Sequence, residues 1–128
     1  MISWTSLSPR ALKAVIEGRV TKEDVREAFQ RMDALMDSAE KVDMLADVRG
    51  GVHIELEAIG EEMRHLSQLG RMLGKMDRVA LVADQAWIRA VGRIEAHILP
   101  GIDYRVFDRA DAEEARAFVL RQDETAPA

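Results

Sequence analysis

Short apolar segments alternate with segments of helical periodicity along the chain, and this alternation limits the fold more than any other feature. The clearest strand signal is RVALVAD (78–84), whose near-continuous apolar run is typical of a strand buried on both faces of a parallel sheet. VDMLADV (42–48), a second apolar run between turn signals, is also predicted to be a buried strand. Strands that alternate with helices need crossover connections, so the pattern predicts one layered α/β domain.

The segment TKEDVREAFQRMDALMDSA (21–39) carries the clearest helix signal. Thr21 and Asp24 have the spacing of a capping box, which satisfies backbone N–H groups at the start of a helix. From Val25 to Ala39, apolar residues recur every three or four positions and form one stripe. This spacing predicts an amphipathic helix that buries the stripe.

A second helix is predicted from about Ile54 or Leu56 to Leu73, where apolar residues again share one face. Its interior is interrupted by three glycines: Gly60, Gly70 and Gly74. Each interior glycine costs a helix up to about 1 kcal/mol relative to alanine. Either this helix is marginal, or another element packs closely against the glycines.

The remaining segments complete a β-β-α-β-α-β-α-β-α order. They are a short edge strand from Ile2 to Thr5, a strand over 11–20 with a bend at Gly18, a helix over 85–99 capped by Asp84 and ended by Pro100, a strand over 102–108, and a helix over 111–121. Short connections favour strands in sequential order, with the first strand as an antiparallel edge.

The predicted fold is α/β, with a four- or five-stranded mostly parallel sheet, an antiparallel N-terminal edge strand and about four helices. Residues 1–122 are expected to form this single domain. Residues 123–128 are polar or small and are expected to form a flexible tail.

Composition narrows the class of protein. The 128 residues are 48% hydrophobic, as in globular proteins, and the net charge of −5 argues against a nucleic-acid-binding protein, which would show a basic excess. The chain has no cysteine, and therefore no disulfide, cysteine-based metal site or cysteine nucleophile. No segment approaches the length of a membrane span, and no signal peptide is recognisable at the N-terminus. We therefore expect a cytoplasmic protein with no integral membrane segment.

Four segments carry a resemblance to a known family. In chain order they are EGRVTKEDV, LADVRGGV, DRVALVADQAW and YRVFDRADAEEARAFVL. Their order resembles that of the STAS-like, SpoIIAA-like family of small bacterial domains, over residues 10–121. RVALVADQAW is the most specific of the four, although the family typically has glycine where this chain has Ala83.

The resemblance implies a sheet with helices on its faces and a non-enzymatic role. Relatives with known roles are anti-sigma-factor antagonists, which act by binding proteins, and regulatory domains of anion transporters. The fold also resembles lipid-carrier domains that hold an apolar pocket under mobile helices. A protein partner or homodimer is therefore one expectation, and a small apolar ligand is another.

The stretch LADVRGGVHIE (45–55) is predicted to be a strand end, a Gly-rich turn and the start of a helix. In the antagonists a phosphorylatable serine stands at the matching place, but residues 47–52 contain no Ser or Thr, which excludes a serine switch there. The main interpretation is a turn at Gly50 and Gly51 that needs the freedom of glycine to adopt positive φ. The alternative is a small-anion site built from exposed backbone N–H groups and helped by Arg49, and Asp47, Arg49 and Gly50 are therefore candidate ligand-binding residues.

The sequence gives little support for metal binding or catalysis. Glu62 and His65 have the spacing of one half of a di-iron carboxylate motif, but the chain lacks the second half. No serine lies in a G-x-S-x-G elbow. We therefore expect no catalytic residue, no metal and no cofactor.

Two hypotheses remain. The first is a regulatory or protein-interaction module with a closed core and an exposed apolar patch on the second helix. The second is a carrier or sensor of a small apolar or lipid-like ligand. Trp87 is either a core-edge aromatic or a pocket wall, near Asp47 and Asp84 at the carboxyl ends of the strands. The second hypothesis predicts a cavity with these walls: Met63, Leu66, Trp87 and Val91.

Overall fold

A computed structural model describes residues 1–58, 60, 66–84 and 101–122, with residues 66–69 and 73 described by their backbone only. These residues contain one five-stranded sheet. Its strands are β1 (Ile2–Ser8), β2 (Ala11–Val20), β3 (Val42–Ile54), β4 (Met76–Ala83) and β5 (Asp103–Asp108). The predicted helix over 85–99, the predicted tail and three candidate site residues (Met63, Trp87 and Val91) lie outside the described residues.

The strands lie in sequential order, β1-β2-β3-β4-β5. β1 pairs antiparallel with β2, and each later pair is parallel. This arrangement confirms the predicted mixed sheet with an antiparallel N-terminal edge strand.

The described helices lie on the two faces of the sheet. They are α1 (Lys22–Ser38), α2 (Leu66–Lys75), a 3-10 turn (Arg109–Asp111) and α3 (Ala112–Val119). On the first face, Leu12 and Val42 pack with Phe29 and Met32 of α1 and with Met72 of α2. We call this the α1 face.

The opposite face, the α3 face, is packed against the last helix. Leu45, Ala80 and Val82 contact Phe118 and Val119 there. Because successive strand residues point to opposite faces, β3 and β4 bury apolar side chains on both sides. The near-continuous apolar runs of these two strands follow from this position. No helix in the described part of the chain is long and apolar enough to cross a bilayer.

The start of α1 confirms the predicted capping box. The hydroxyl of Thr21 accepts a hydrogen bond from the Asp24 backbone N–H, at 3.2 Å, and Oδ2 of Asp24 accepts one from the Thr21 backbone N–H, at 2.9 Å. Two N–H groups that the helix itself cannot satisfy are thereby paired.

The structure corrects the prediction for the double-glycine stretch. β3 does not end before Gly50 but continues to Ile54. Glu17 pairs with Arg49 and Gly18 with Val52, so Gly50 and Gly51 are extra residues in a bulge. Both Gly18 and Gly50 have positive φ, +65° and +66°. The need for positive φ was predicted correctly. The positive φ forms a bulge inside a strand rather than a turn before a helix, because β2 bends at Gly18, opposite the bulge in β3.

The second predicted helix also differs in its bounds. Of the two predicted starts, Ile54 belongs to β3, whereas Leu56 is the first of the helical residues 56–58; α2 spans Leu66–Lys75, so helix extends two residues beyond the predicted end at Leu73. A Cβ atom placed on Gly60, Gly70 or Gly74 would have no described atom within 4 Å. Among the described residues, close packing therefore does not explain these glycines.

A charged cluster closes the amino ends of the central strands. Asp43, only 1% exposed, lies 3.1 Å from Nε of Arg10 and 3.2 Å from Nη2 of Arg121, and it accepts a hydrogen bond from the Arg78 backbone N–H at 3.0 Å. Burial opposes the charge of Arg121, but Asp43 and Asp77 outweigh it and raise the pKa of Arg121. The cluster ties the β1–β2 turn and the end of α3 to the sheet.

Candidate functional site

An open cavity of about 360 Å³ lies between α1 and the sheet. Its described lining residues come from β1, β2, β3, α1, α2, the start of β4 and the helical turn at 56–58. They are Ile2, Trp4, Ile16, Val20, Val25, Ala28, Phe29, Met32, Met44, Val48, Val52, Ile54, Ala58, Met72 and Met76. We call this space the apolar cavity.

The walls of the cavity follow from two sequence periodicities. Val25, Ala28, Phe29 and Met32 are one helical stripe of α1, because residues three and four apart share a helix face. Met44 and Val48 lie on the α1 face of β3, since even numbers of residues separate side chains on the same face of a strand. The apolar stripe of α1 and the α1 face of the sheet thus lie opposite each other across the cavity.

Burial distinguishes the floor of the cavity from its mouth. Met32 and Ala58 are fully buried, whereas Ile54 lines the cavity and is 51% exposed. The cavity therefore opens near the ends of β2 and β3. Leu56, two residues beyond Ile54, is 82% exposed.

The cavity has no charge of its own in the described part of the chain, since every described lining residue is hydrophobic. A charged group inside such a space would lose its hydration without gaining a partner. The portion of any ligand held there is accordingly neutral and apolar.

The structure separates the sequence-predicted site residues. Asp47 and Arg49 lie together on the α3 face, across the sheet from the cavity, and Gly50 lies in the bulge beside them. Asp84 follows β4 and is exposed, and Leu66 is the first residue of α2. Asp47, Arg49, Gly50 and Asp84 are not among the residues that line the cavity, and the side chain of Leu66 lies outside the described part of the structure.

Sequence reasoning missed most of the cavity walls. The stripe of α1 was recognised, but it was interpreted as ordinary core. Four of the seven methionines of the chain, Met32, Met44, Met72 and Met76, line the cavity. Methionine is common on adaptable apolar surfaces, and this was the available signal.

A second, smaller recess lies on the α3 face. It has a volume of about 110 Å³ and is lined by both apolar and charged residues, namely Leu7, Lys13, Leu45, Asp47, Val82, Ala112, Glu113 and Arg116. We call it the polar recess.

Asp47 at the wall of the polar recess is held by two arginines. Its Oδ1 lies 2.8 Å from Nη1 of Arg109, and its Oδ2 lies 3.2 Å from Nε of Arg49. Arg109 also donates a hydrogen bond to the Val48 carbonyl. Arg109 follows β5 directly, and nothing in the local sequence marked it as a partner of Asp47.

The described residues give no support for a metal site. Over the described residues, no three His, Cys, Asp or Glu side chains are grouped closely enough to hold a metal ion. Glu62 and His65 lie outside those residues.

The family is established by sequence. The SpoIIAA-like family model matches residues 11–120, and the chain therefore belongs to the SpoIIAA-like family. Among curated proteins no match is found.

Two solved structures share the fold. An uncharacterized protein from Shewanella loihica PV-4 with a SpoIIAA-like fold has a TM-score of 0.62 and 19% identity, over 93% of this chain and 92% of that chain. The Bacillus cell fate determinant SpoIIAA, in its phosphorylated form, has a TM-score of 0.53 and 7% identity, over 89% of this chain and 96% of that chain. The fold is thus related to that of the anti-sigma-factor antagonists.

Proposed function

We propose that this protein is a non-enzymatic module that binds a small neutral apolar molecule, or the apolar chain of an amphipathic one, in the apolar cavity. The observation that carries the proposal is an open space of about 360 Å³ whose described walls are entirely hydrophobic. Protein interiors are close-packed, so a space of this size is unusual in a core that serves only stability. Ligand sites typically begin at about 300 Å³.

The size of the cavity limits the ligand. If each water-sized unit takes about 30 Å³, the cavity holds about a dozen non-hydrogen atoms. A medium-length acyl chain or a small terpenoid has this size. The polar headgroup of an amphipathic ligand would remain at the mouth of the cavity, where the side chain of Ile54 is exposed to water.

A fluorescence titration with N-phenyl-1-naphthylamine, a neutral apolar probe, tests the proposal. Ala28 lines the cavity from α1, and Ala28→Phe places an aromatic ring inside it. Ala34 is exposed on the same helix, so Ala34→Phe is the matched control. We expect saturable binding to the wild type and to Ala34→Phe, and at least a tenfold loss of affinity in Ala28→Phe. Equal binding by all three proteins would refute the cavity as the site.

Native mass spectrometry of the protein purified from its host would identify the natural ligand. A bound mass that disappears on denaturing extraction supports the ligand-binding function. An entirely ligand-free mass, together with no probe binding, argues against it.

The second candidate function is a regulatory protein-interaction module. The observation that favours it is the pair of neighbouring exposed apolar side chains, Ile54 and Leu56, at the start of the segment predicted to carry an interaction patch. Leu56 does not line the cavity, so Leu56→Lys separates the two functions. Loss of partner binding or of self-association with unchanged probe binding would favour this candidate.

A further inference from the structure

The two outer strands of the sheet differ in charge. β5, the last strand, carries Asp103, Arg105 and Asp108, and charged side chains on an edge strand discourage pairing with another chain. β1, the first strand, has the sequence ISWTSLS (Ile2–Ser8), with no charged residue, no glycine and no proline. Of these two strands, β1 is therefore the one whose sequence leaves it open to another strand.

The pairing of β1 with β2 shows which backbone groups of β1 point outward. Met1 lies opposite Glu17 in this register, and the Met1 carbonyl accepts a hydrogen bond from the Glu17 N–H at 3.0 Å. Because inward and outward residues alternate along an antiparallel strand, Thr5 also bonds to β2, whereas Trp4 and Ser6 direct their N–H and C=O groups away from it. In the described part of the chain, these outward groups have no hydrogen-bond partner.

Two features limit the free length of this edge. At one end, the backbone N–H of Ile2 forms a hydrogen bond with the Asp24 carboxylate. At the other end, the pairing with β2 is irregular between Ser6 and Ser8. The open stretch is thus short, from Ser3 to Leu7, and its pairing register is narrowly defined.

We propose that β1 pairs antiparallel with β1 of a second copy of this chain, with Thr5 at the two-fold axis. In this register Trp4 of each copy lies opposite Ser6 of the other, and each outward N–H meets an outward carbonyl. The edge is thus self-complementary, and no backbone group has to leave a bond within its own chain. A register shifted toward the N-terminus would need the Ile2 N–H, which Asp24 already holds.

The side chains of β1 on the α3 face suit this pairing. Leu7 lines the polar recess on that face, and Ser3 and Thr5 share the face because they alternate with Trp4, which lines the apolar cavity on the other side. Thr5 is exposed and would lie opposite Thr5 of the second copy, an arrangement in which two threonines interact favourably. Two chains of net charge −5 meet here without opposing like-charged side chains of the strand.

The pairing joins two five-stranded sheets into one continuous sheet. A two-fold axis between antiparallel strands is perpendicular to the sheet, so both α1 faces lie on the same side of the dimer. Ile2 and Trp4 line the apolar cavity, and the two cavities would therefore flank the axis. Dimer formation does not require a bound ligand, so it can be tested separately from the proposed function.

Sedimentation velocity of the full chain tests self-association. We expect a dimer with a dissociation constant on the order of 10 μM or below. Thr5→Lys places two ammonium groups face to face across the axis and should weaken the dimer roughly tenfold or more, while the exposed position leaves the protomer folded. Gln30→Lys makes the same charge change at an exposed position of α1 and should dimerise as the wild type does.

A wild type that stays monomeric at ten times this concentration, or an equally stable dimer in Thr5→Lys, would overturn the proposal. A dimer that dissociates in Leu56→Lys but not in Thr5→Lys would also overturn it, because that dimer would form through the exposed pair Ile54 and Leu56.

Cysteine cross-linking tests the register, because the chain contains no cysteine of its own. Thr5→Cys places two cysteines opposite each other with Cα atoms about 4.5 Å apart, within the range of a disulfide. In Ser3→Cys the two cysteines would be about 14 Å apart, which excludes a disulfide. Under mild oxidation we expect a covalent dimer of Thr5→Cys and little of Ser3→Cys, and equal yields would contradict the proposed pairing.

Discussion

Nη1 of Arg109 lies 2.8 Å from Oδ1 of Asp47, although 62 positions separate the two residues in the chain. This pair joins the middle of β3 to the residue that follows β5. Since the Asp47 carboxylate is 7% exposed, its interaction with Arg109 is screened less than that of a surface pair.

A double-mutant cycle with Asp47→Asn and Arg109→Gln should measure a coupling energy of about 1–2 kcal/mol in the free energy of unfolding. The reference is a second cycle on Glu27 and Arg31, an exposed pair four residues apart in α1. That pair should give about 0.3–0.5 kcal/mol. Urea denaturation measures both, and equal couplings would contradict the importance of burial at Asp47.

Removal of the Asp43 carboxylate should be the most destabilising charge change. Asp43→Ala removes the buried acceptor of the Arg78 backbone N–H and leaves Arg10 and Arg121 with Asp77 alone of their two carboxylates, so it should lower the free energy of unfolding by about 2–3 kcal/mol. Asp33 on α1 forms an exposed ion pair with Arg71, so Asp33→Ala should cost less than about 1 kcal/mol. Similar midpoints of urea unfolding for the two variants would refute the importance of Asp43 and its charged cluster for stability.

The bulge in β3 gives an internally controlled test of backbone conformation. A Cβ atom at Gly50 or at Gly51 would have no described neighbour within 4 Å, but only Gly50 has positive φ. Gly50→Ala should therefore destabilise the fold by about 1–2 kcal/mol. Gly51→Ala should change stability by no more than about 0.5 kcal/mol. Thermal unfolding of both variants measures the difference, and equal effects would contradict a bulge that depends on positive φ.

The capping box of α1 should make stability depend on pH. Partial burial opposes the charge of Asp24, but hydrogen bonds from Thr21 and the nearby N-terminal ammonium outweigh it and lower the pKa of Asp24 below 3.8. A lowered folded-state pKa contributes stability above the unfolded-state pKa, and this contribution is lost as pH falls through the folded-state value.

Asp24→Ala should thus lower the free energy of unfolding by about 1 kcal/mol at neutral pH. The difference in this free energy between wild type and variant should narrow as pH falls below 3.8. Urea unfolding at neutral pH and at about pH 3 measures the gap. A gap that stays constant across this range would show that the Asp24 carboxylate is not responsible.

Local features of this chain were predictable because their causes are local. The Thr21–Asp24 cap, the stripe of α1 and the apolar run of β4 each depend on residues within a few positions, and each was predicted with the correct element. The order of the elements then indicated the mixed sheet, since short connections leave few ways to arrange the strands. The resemblance to SpoIIAA-like domains depended on the same segments.

The pairing between β2 and β3, which the local sequence pattern did not reveal, determined where β3 ends. The double glycine was predicted to end a strand, but β2 bends at Gly18 and pairs with β3 beyond the bulge, which carries the strand to Ile54. Glycine in a sequence indicates positive φ without distinguishing a turn from a bulge, because both need the same backbone conformation.

The sequence by itself therefore determined the kind and order of the described strands and helices, the helix cap and the family. Only the tertiary structure decided that α1 and the sheet leave an apolar cavity between them, and that Asp47 holds Arg109 across 62 positions. The reason is physical: periodicity is set by neighbours along one element, whereas cavities and buried ion pairs depend on the register and separation of elements distant in the chain.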